Sequence, residues 1–272
     1  MQFTPKLYSL TAITNMHVGS GKNNYGIIDN LIQRDVVSGH PTINSSSLKG
    51  AMREFFSHNK AHATLVREVF GSEPKDKPTN RPGDYRFFPA HLLSMPVRCD
   101  ALPYVNVTSK SAVTGFLKKL ETFGIEYQDA ETLRNWSQSL SGEATHFQSD
   151  LNDSIAVEAL DLKAQKGTFD DIDTIKEVVG DYPVLVSDTQ FSDLTSDSYL
   201  PVIARNHLEN GISQNLWYEQ ILPRQSRFYF IVLVPNSATS HFNTFNSEIE
   251  KPLVQIGGNA SIGYGFSKIS SL

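Results

Sequence analysis

Apolar residues recur along the chain at two periods, and the switches between them mark out the elements. Residues 5–14 place Leu7, Tyr8, Leu10 and Ile13 among small polar residues and read as a strand. Gly19-Ser20-Gly21-Lys22 reads as a glycine-rich turn, and residues 25–37 as extended chain in which Ile27, Ile28 and Ile32 mix with charges. Ser45-Ser46-Ser47 opens a helix, since a hydroxyl there can cap free backbone N–H groups. Behind it Leu48, Met52, Phe55 and Phe56 share one helical face. Residues 72–85, rich in Pro, Lys, Asp and Gly, read as an exposed loop, and Arg86 to Leu93 as strand.

A second helix is predicted from Ser111 through Leu120, ending near Gly124. Residues 125–153 are polar and read as a weakly defined insertion. Strand-like runs return at 155–162, 183–190 and 227–234, and Arg227 to Val234 is the strongest of them. Residues 201–223 contain Asn210-Gly211 between mixed apolar and polar residues, the signal of a tight β-hairpin that would project as an arm. A helix over 240–251 leads into Gly257-Gly258, read as its C-cap before a turn into the last strand. Strands and helices interleave without regular βαβ alternation. The predicted fold is therefore α+β, one domain over residues 1–272, with a split β-α-β, ferredoxin-like core and insertions.

Composition narrows this picture. A length of 272 residues with 39% hydrophobic content supports one sizeable core with insertions. Cys99 is the only cysteine, which excludes an intrachain disulfide and cysteine-rich zinc folds and suits a reducing cytoplasm. The opening Met1-Gln2-Phe3-Thr4-Pro5-Lys6 lacks the pattern of a signal peptide, and no apolar run is long enough to span a membrane. The net charge of −5 runs against a free-standing nucleic-acid binder, unless positive charge gathers on one face of a subunit within a larger assembly.

Candidate chemistry is sparse. Gly19-Ser20-Gly21-Lys22 is not a phosphate loop, because Met16 and Asn23 stand where that motif needs glycine and a hydroxyl residue. Lys49 and Arg53 are four apart on the predicted helix and project together from its first turns. With the helix N-terminus they make an anion site suited to a backbone phosphate; the plainer alternative is a capped surface helix with two solvated cations. Asp29 is a carboxylate able to bind a divalent cation or activate a ribose 2′-hydroxyl, or else a solvated residue. His17 is either its acid–base partner or a hydrogen-bonded histidine at a strand end. The eight histidines show no zinc-ligand spacing.

The order of the segments carries a resemblance. His17-Val18-Gly19-Ser20-Gly21, Ile28-Asp29-Asn30-Leu31-Ile32-Gln33-Arg34-Asp35, Gly39-His40-Pro41-Thr42-Ile43 and Ser46-Ser47-Leu48-Lys49-Gly50-Ala51-Met52-Arg53 together resemble the N-terminal signature of the RAMP superfamily. Leu92 to Cys99, Tyr104 to Ser109, Leu216 to Pro223 and Gln255 to Asn259 are similar to the backbone subunit of type III-B (Cmr) CRISPR effectors. The chain departs from the pattern at Leu31, Asn44-Ser45, Pro89 and Tyr264, and keeps Asp29, Lys49 and Arg53.

The resemblance implies an RNA-recognition-motif-like core with a β-hairpin thumb, assigned here to 201–223. It implies several copies along a CRISPR guide RNA, each displacing a target nucleotide, alongside other Cmr subunits. It assigns target-RNA cleavage to Asp29 with a Mg or Mn ion; His17 and Glu219 are further candidates for proton transfer that the resemblance does not decide. RNA contacts are expected from Gly19, Ser20, Arg34, Ser47, Lys49, Arg53, Gly257, Gly258 and Asn259. The alternatives are a non-catalytic backbone of a type III-B or III-A complex and an unrelated ferredoxin-like binding protein. An Asp29 locked to Arg34 would favour the scaffold.

Overall fold

The computed structural model describes residues 2–22, 26–72, 81–157, 162–237 and 239–272. Its first part runs β1 (Phe3–Ala12), β2 (Gly19–Lys22), β3 (Asn30–Ile32), β4 (Thr42–Ile43), α1 (Ser45–Ser57), α2 (Ala63–Phe70), β5 (Arg86–Phe87) and β6 (Ala90–Val97). The middle comprises β7 (Val105–Ser109), α3 (Lys110–Phe123), α4 (Ala130–Ser137), β8 (Ala144–His146), β9 (Ser154–Val157), β10 (Leu162–Lys166), α5 (Ile172–Val179), β11 (Pro183–Val186) and α6 (Asp188–Leu194). The chain closes with β12 (Val202–Glu209), β13 (Ile212–Gln220), β14 (Arg227–Pro235), α7 (Thr239–Glu250), β15 (Val254–Gln255) and β16 (Phe266–Ser271).

Four of these strands lie in the order β16-β1-β14-β6, and every neighbouring pair is antiparallel. Because α1 leads from β1 to β6 and α7 from β14 to β16, this is the split β-α-β arrangement of a ferredoxin-like core. The segment between β6 and β14 extends the same sheet through β7, β11, β8, β10 and β9. It then adds the β12–β13 hairpin, which pairs with β3 and β2 in a separate four-stranded sheet.

Strand β14 shows why the layers form. Its residues are buried on both faces, as an apolar run without polar alternation requires. Phe228, Phe230, Val232 and Val234 join the core beneath α1, α2 and α7, which adds Leu48, Met52, Phe56, Val69 and Phe245. Tyr229 and Ile231 face the opposite core, built with Val113, Phe116 and Leu120 of α3, Leu133 and Trp136 of α4, and Ile175 and Val178 of α5. Helix α3 starts on Ser109, whose hydroxyl accepts from the Ala112 amide, and stops at Gly124 in the left-handed conformation.

Several local expectations are corrected. Gly19–Lys22 is an edge strand and not a turn, because β3 offers it a ladder. Asn44, not a serine, occupies the cap position of α1, without a side-chain cap hydrogen bond; the serines lie inside the first turn. Residues 188–190 belong to α6, which Ser187 caps. Gly257 and Gly258 do not cap α7, since β15 intervenes. The expected loop at 72–85 lies mostly outside the described residues, but its end is folded: Tyr85 is buried and the Asp84 amide donates to the Glu68 carbonyl.

The expectation of a weakly defined 125–153 segment is also overturned. It supplies α4 and β8, the latter paired with both β11 and β10. Its polar surface hides a helix whose apolar face carries only Leu133 and Trp136, too few residues to announce a periodicity. Trp136 is fully buried, with its ring 5.6 Å from Phe147. Replacing Trp136 with Ala should cost about 3–5 kcal/mol of stability, read as a lowered midpoint in urea denaturation. An unchanged midpoint would mean that this segment folds independently of the core.

Candidate RNA-processing site at the root of the hairpin

The turn of the β12–β13 hairpin is made by Asn210 and Gly211, both at positive φ, as a two-residue connection between twisted strands requires. Most of the hairpin is exposed, and burial begins only at its root, at Glu219 and Gln220. There β13 pairs in parallel with β3, placing Glu219 beside Asn30. One residue earlier, Asp29 is tied to the hairpin twice. Its amide donates to the Tyr218 carbonyl at 3.1 Å, and its Oδ2 accepts from the Tyr218 amide at 2.8 Å. The Asp29 side chain nevertheless remains exposed.

Glu219 is different in kind. Its side chain is 9% exposed and its carboxylate gathers donors from separate segments. Oε1 accepts from Trp217 Nε1 at 2.9 Å and from Asn30 Nδ2 at 3.3 Å; Oε2 accepts from Asn259 Nδ2 at 2.8 Å and from Arg205 at 3.3 Å. Burial by itself would raise this carboxyl group. The hydrogen bonds from Trp217 and Asn259, with the charges of His17 and Arg205, hold it below the usual glutamate range. Glu219 is thus an ionised acceptor joining the hairpin to the residue next to Asp29 and to the loop at 257–259.

His17 completes the joint. It is buried, and its Nδ1–H donates to the Gln220 carbonyl at 2.7 Å, which leaves Nε2 toward Gly19. The Gly258 amide donates to the His17 carbonyl at 2.9 Å. Gly257 has φ +92°, and a Cβ there would collide with that same carbonyl, so only glycine fits. Asn259 adopts the left-handed conformation, which aims its amide at Glu219.

The fold therefore brings Asp29, His17, Gly19, Glu219, Gly257, Gly258 and Asn259 together. Ser20 is exposed nearby, its hydroxyl bonded to the Leu31 carbonyl. Ser47 joins through Gln33, whose amide nitrogen donates to the Gly19 carbonyl and the Ser47 hydroxyl while its oxygen receives the Asn44 amide. Lys49 and Arg53 lie farther along α1. Burial first, then the neighbouring charges of Arg53 and Arg86, lowers the Lys49 ammonium, so these three cations share one patch. Arg53 also donates to the Gly71 carbonyl.

Arg34 is directed elsewhere. Its guanidinium meets Asp197 at 2.7 Å and donates to the carbonyls of Gly39 and Thr195. It is engaged internally, and its carboxylate partner is Asp197 rather than Asp29. Sequence reasoning missed Gln33, Gln220, Asn30, Trp217 and Arg205. Gln220 is fully buried; its Oε1 accepts from the Ile32 amide and its Nε2 donates to Asp197. The only signal was its place beside Trp217 and Glu219 in a segment that carried the family resemblance. Among the described residues no group of three or more His, Cys, Asp or Glu could hold a metal ion.

A RAMP superfamily model matches residues 9–268. The chain is 27% identical to the CRISPR system Cmr endoribonuclease Cmr4 of Pyrococcus furiosus, over 97% of this chain and 94% of that protein. Among solved structures it superposes on a type III-B Cmr-beta complex in the apo state, with a TM-score of 0.79 at 21% identity, covering 99% of this chain and 97% of that one. A Cmr-beta complex bound to cognate target RNA gives 0.80 at 21% identity, over 98% and 96%. Oligomeric Cmr4 from Pyrococcus furiosus gives 0.73 at 21% identity, over 100% and 99%. At these identities the structural likeness establishes the fold.

Replacing Glu219 with Ala should cost on the order of 2–4 kcal/mol, by stranding its donors, and should speed hydrogen exchange in the hairpin root. Because the folded carboxyl is lowered, its contribution is present at neutral pH and lost once the pH falls below the ordinary glutamate pKa. Urea midpoints should therefore fall more steeply below that pH in the parent chain than in Glu219→Gln. Parallel profiles would remove Glu219 from this role.

Proposed function

The chain belongs to the RAMP superfamily, and we propose that it is a backbone subunit of a type III-B CRISPR effector that binds guide RNA and cuts single-stranded target RNA. Its partners in this reading are the guide, the target, further copies of itself and other Cmr subunits. The relation to a Cmr endoribonuclease along nearly the whole chain supports it. The observation that carries it is the placement of Asp29: an exposed carboxylate, fixed by two backbone contacts to the root of a projecting hairpin.

The hairpin acts as the thumb that pushes a target nucleotide out of the guide–target duplex. Freed from stacking, that nucleotide can bring its 2′-hydroxyl in line with the adjacent phosphorus. Asp29 takes the 2′ proton as the oxygen attacks. The bond from phosphorus to the 5′-oxygen breaks, the departing oxygen takes a proton from water, and a 2′,3′-cyclic phosphate remains. Glu219 positions Asp29 rather than transferring a proton, since its oxygens are committed to four donors. His17 is likewise a positioning residue, holding Gln220 and the glycine loop.

The described residues do not form a cage for a resident divalent ion. A Mg or Mn ion taking part would find Asp29 as the carboxylate at hand and would supply charge neutralisation at the phosphate. A backbone that holds RNA without cutting is the second reading, favoured by the commitment of the neighbouring Glu219 carboxylate.

Asp29→Asn keeps an acceptor for the Tyr218 amide while removing the base. In the reconstituted guide-loaded complex it should lower cleavage by about 100-fold or more while target binding is unchanged. Equal cutting by the variant, or no cutting by the parent complex despite binding, would leave the scaffold reading. Lys49→Ala and Arg53→Ala should each weaken guide binding across all sequences and lower the salt dependence by about one charge. An unaltered salt slope would place the guide elsewhere.

A further inference from the structure

Away from the hairpin root, the described residues enclose a further polar cavity of about 220 Å³, between the turn after β3, strand β6 and helix α3. Its lining includes Asp35, His40, His91, Gly115, Lys119 and Tyr229, none of which belongs to the Asp29 and Glu219 assembly. Lys119 Nζ donates to His91 Nε2 at 3.0 Å. An ammonium can only donate, so Nε2 is an acceptor and the neutral ring carries its proton on Nδ1. Burial, then the Lys119 charge, lowers His91, and burial first of all lowers His40, so both rings are uncharged at neutral pH. The His91 ring lies 5.6 Å from that of Tyr229, and His40 meets Phe191 edge-on at 5.0 Å.

The cavity is kept open, and its charge suits a neutral polar ligand. Gly115 stands inside α3, where glycine is a poor helix former. A Cβ there would meet nothing within 4 Å, so packing does not demand the glycine. Its missing side chain leaves the exposed edge of the cavity clear. Asp35 Oδ1 accepts from the Val37 amide, the Ser38 amide and the Ser38 hydroxyl, which leaves Oδ2 outside that turn's bonds. Burial would raise this carboxyl, but the hydrogen bonds from Ser38 and Val37 hold it below the usual range. Asp188 accepts from the Ser111 amide at the start of α3, and Arg34 is paired with Asp197. An entering anion would therefore meet Asp35 and Asp188 against Lys119. A neutral ligand would instead find donors at Lys119 and His91 Nδ1, an acceptor at Asp35 and aromatic rings around it.

We propose that this cavity receives one unstacked guanine base. Its volume is below the roughly 300 Å³ at which clefts for drug-sized ligands begin, which suits a base rather than a whole nucleotide. Guanine presents two adjacent acceptors, O6 and N7, for Lys119 and the His91 Nδ1–H, and N–H donors on its other edge for Asp35. Adenine sets a donor beside its N7, and the pyrimidines have no N7. Bases splayed out of single-stranded RNA are held in this manner, against Tyr or His rings with hydrogen bonds to their edges. The site goes beyond the backbone reading, in which Lys49 and Arg53 meet phosphates and are blind to sequence.

The test is NMR titration of the full chain with guanosine, adenosine, cytidine and uridine. Guanosine should bind about tenfold or more tighter than the others. Lys119→Met should weaken it by about tenfold or more. Gly115→Leu should block it while the thermal midpoint holds or rises, because leucine is the better helix former. Equal binding of all the nucleosides, displacement of guanosine by inorganic phosphate, or guanosine binding that survives both substitutions overturns the site. The RNA UUGUU binding at least as well as guanosine, with the same loss in Lys119→Met, places the base within an RNA chain. Guanosine monophosphate binding more tightly than that RNA places it on a free nucleotide. These titrations need no guide RNA, so a negative result leaves the cleavage reading standing, and a failure of the Asp29 assay leaves this site standing.

Discussion

The two-sided burial of β14 is the constraint on which the rest depends. A strand covered on both faces needs an apolar layer above and another below, and a single 272-residue chain must supply both. The ferredoxin-like halves provide α1 and α7 on one side. The long segment between β6 and β14 provides α3, α4 and α5 on the other. That segment is therefore structural in its own right, and the β12–β13 hairpin is one element at its end rather than the purpose of the whole insertion.

The site hangs directly from this strand. Only six residues separate the end of β13 from the start of β14, so the hairpin root inherits the rigidity of the central sheet. At that root the fold treats two carboxylates in opposite ways. Glu219 is buried, ionised and committed to donors from several segments. Asp29 is exposed and held by the backbone of the neighbouring strand. A residue engaged on all sides fixes geometry, and a residue fixed only at its edge retains an oxygen-rich face for chemistry.

The acidic net charge of −5 is not spread evenly over the chain. Lys49, Arg53 and Arg86 share one patch, close enough for the neighbouring charges to lower the Lys49 ammonium. Under the proposed backbone role, repetition of such a patch along a guide RNA would replace the strong electrostatic attraction that a single acidic subunit lacks. Arg34, by contrast, contributes its charge to the interior of the fold, bracing the turn that bears Val36 and Val37.

The sequence alone determined whatever depends on neighbours a few residues apart. The helical stripe of Leu48, Met52 and Phe56, the run from Arg227 to Val234, the Gly124 stop and the Asn210-Gly211 turn are set by local backbone preference and short-range periodicity. The ordered N-terminal motifs also placed Asp29, Lys49 and Arg53 as residues of interest. Tertiary structure decided what depends on distant partners. Asp29 meets Tyr218 across 189 positions, and Arg34 meets Asp197 across 163. No local pattern distinguishes an exposed aspartate from a committed glutamate, or a strand from a turn at Gly19–Lys22, before the facing strand is in place. The same holds for 125–153, whose polar surface concealed Trp136 because burial there is conferred by α3, α5 and β14 and not by its own periodicity.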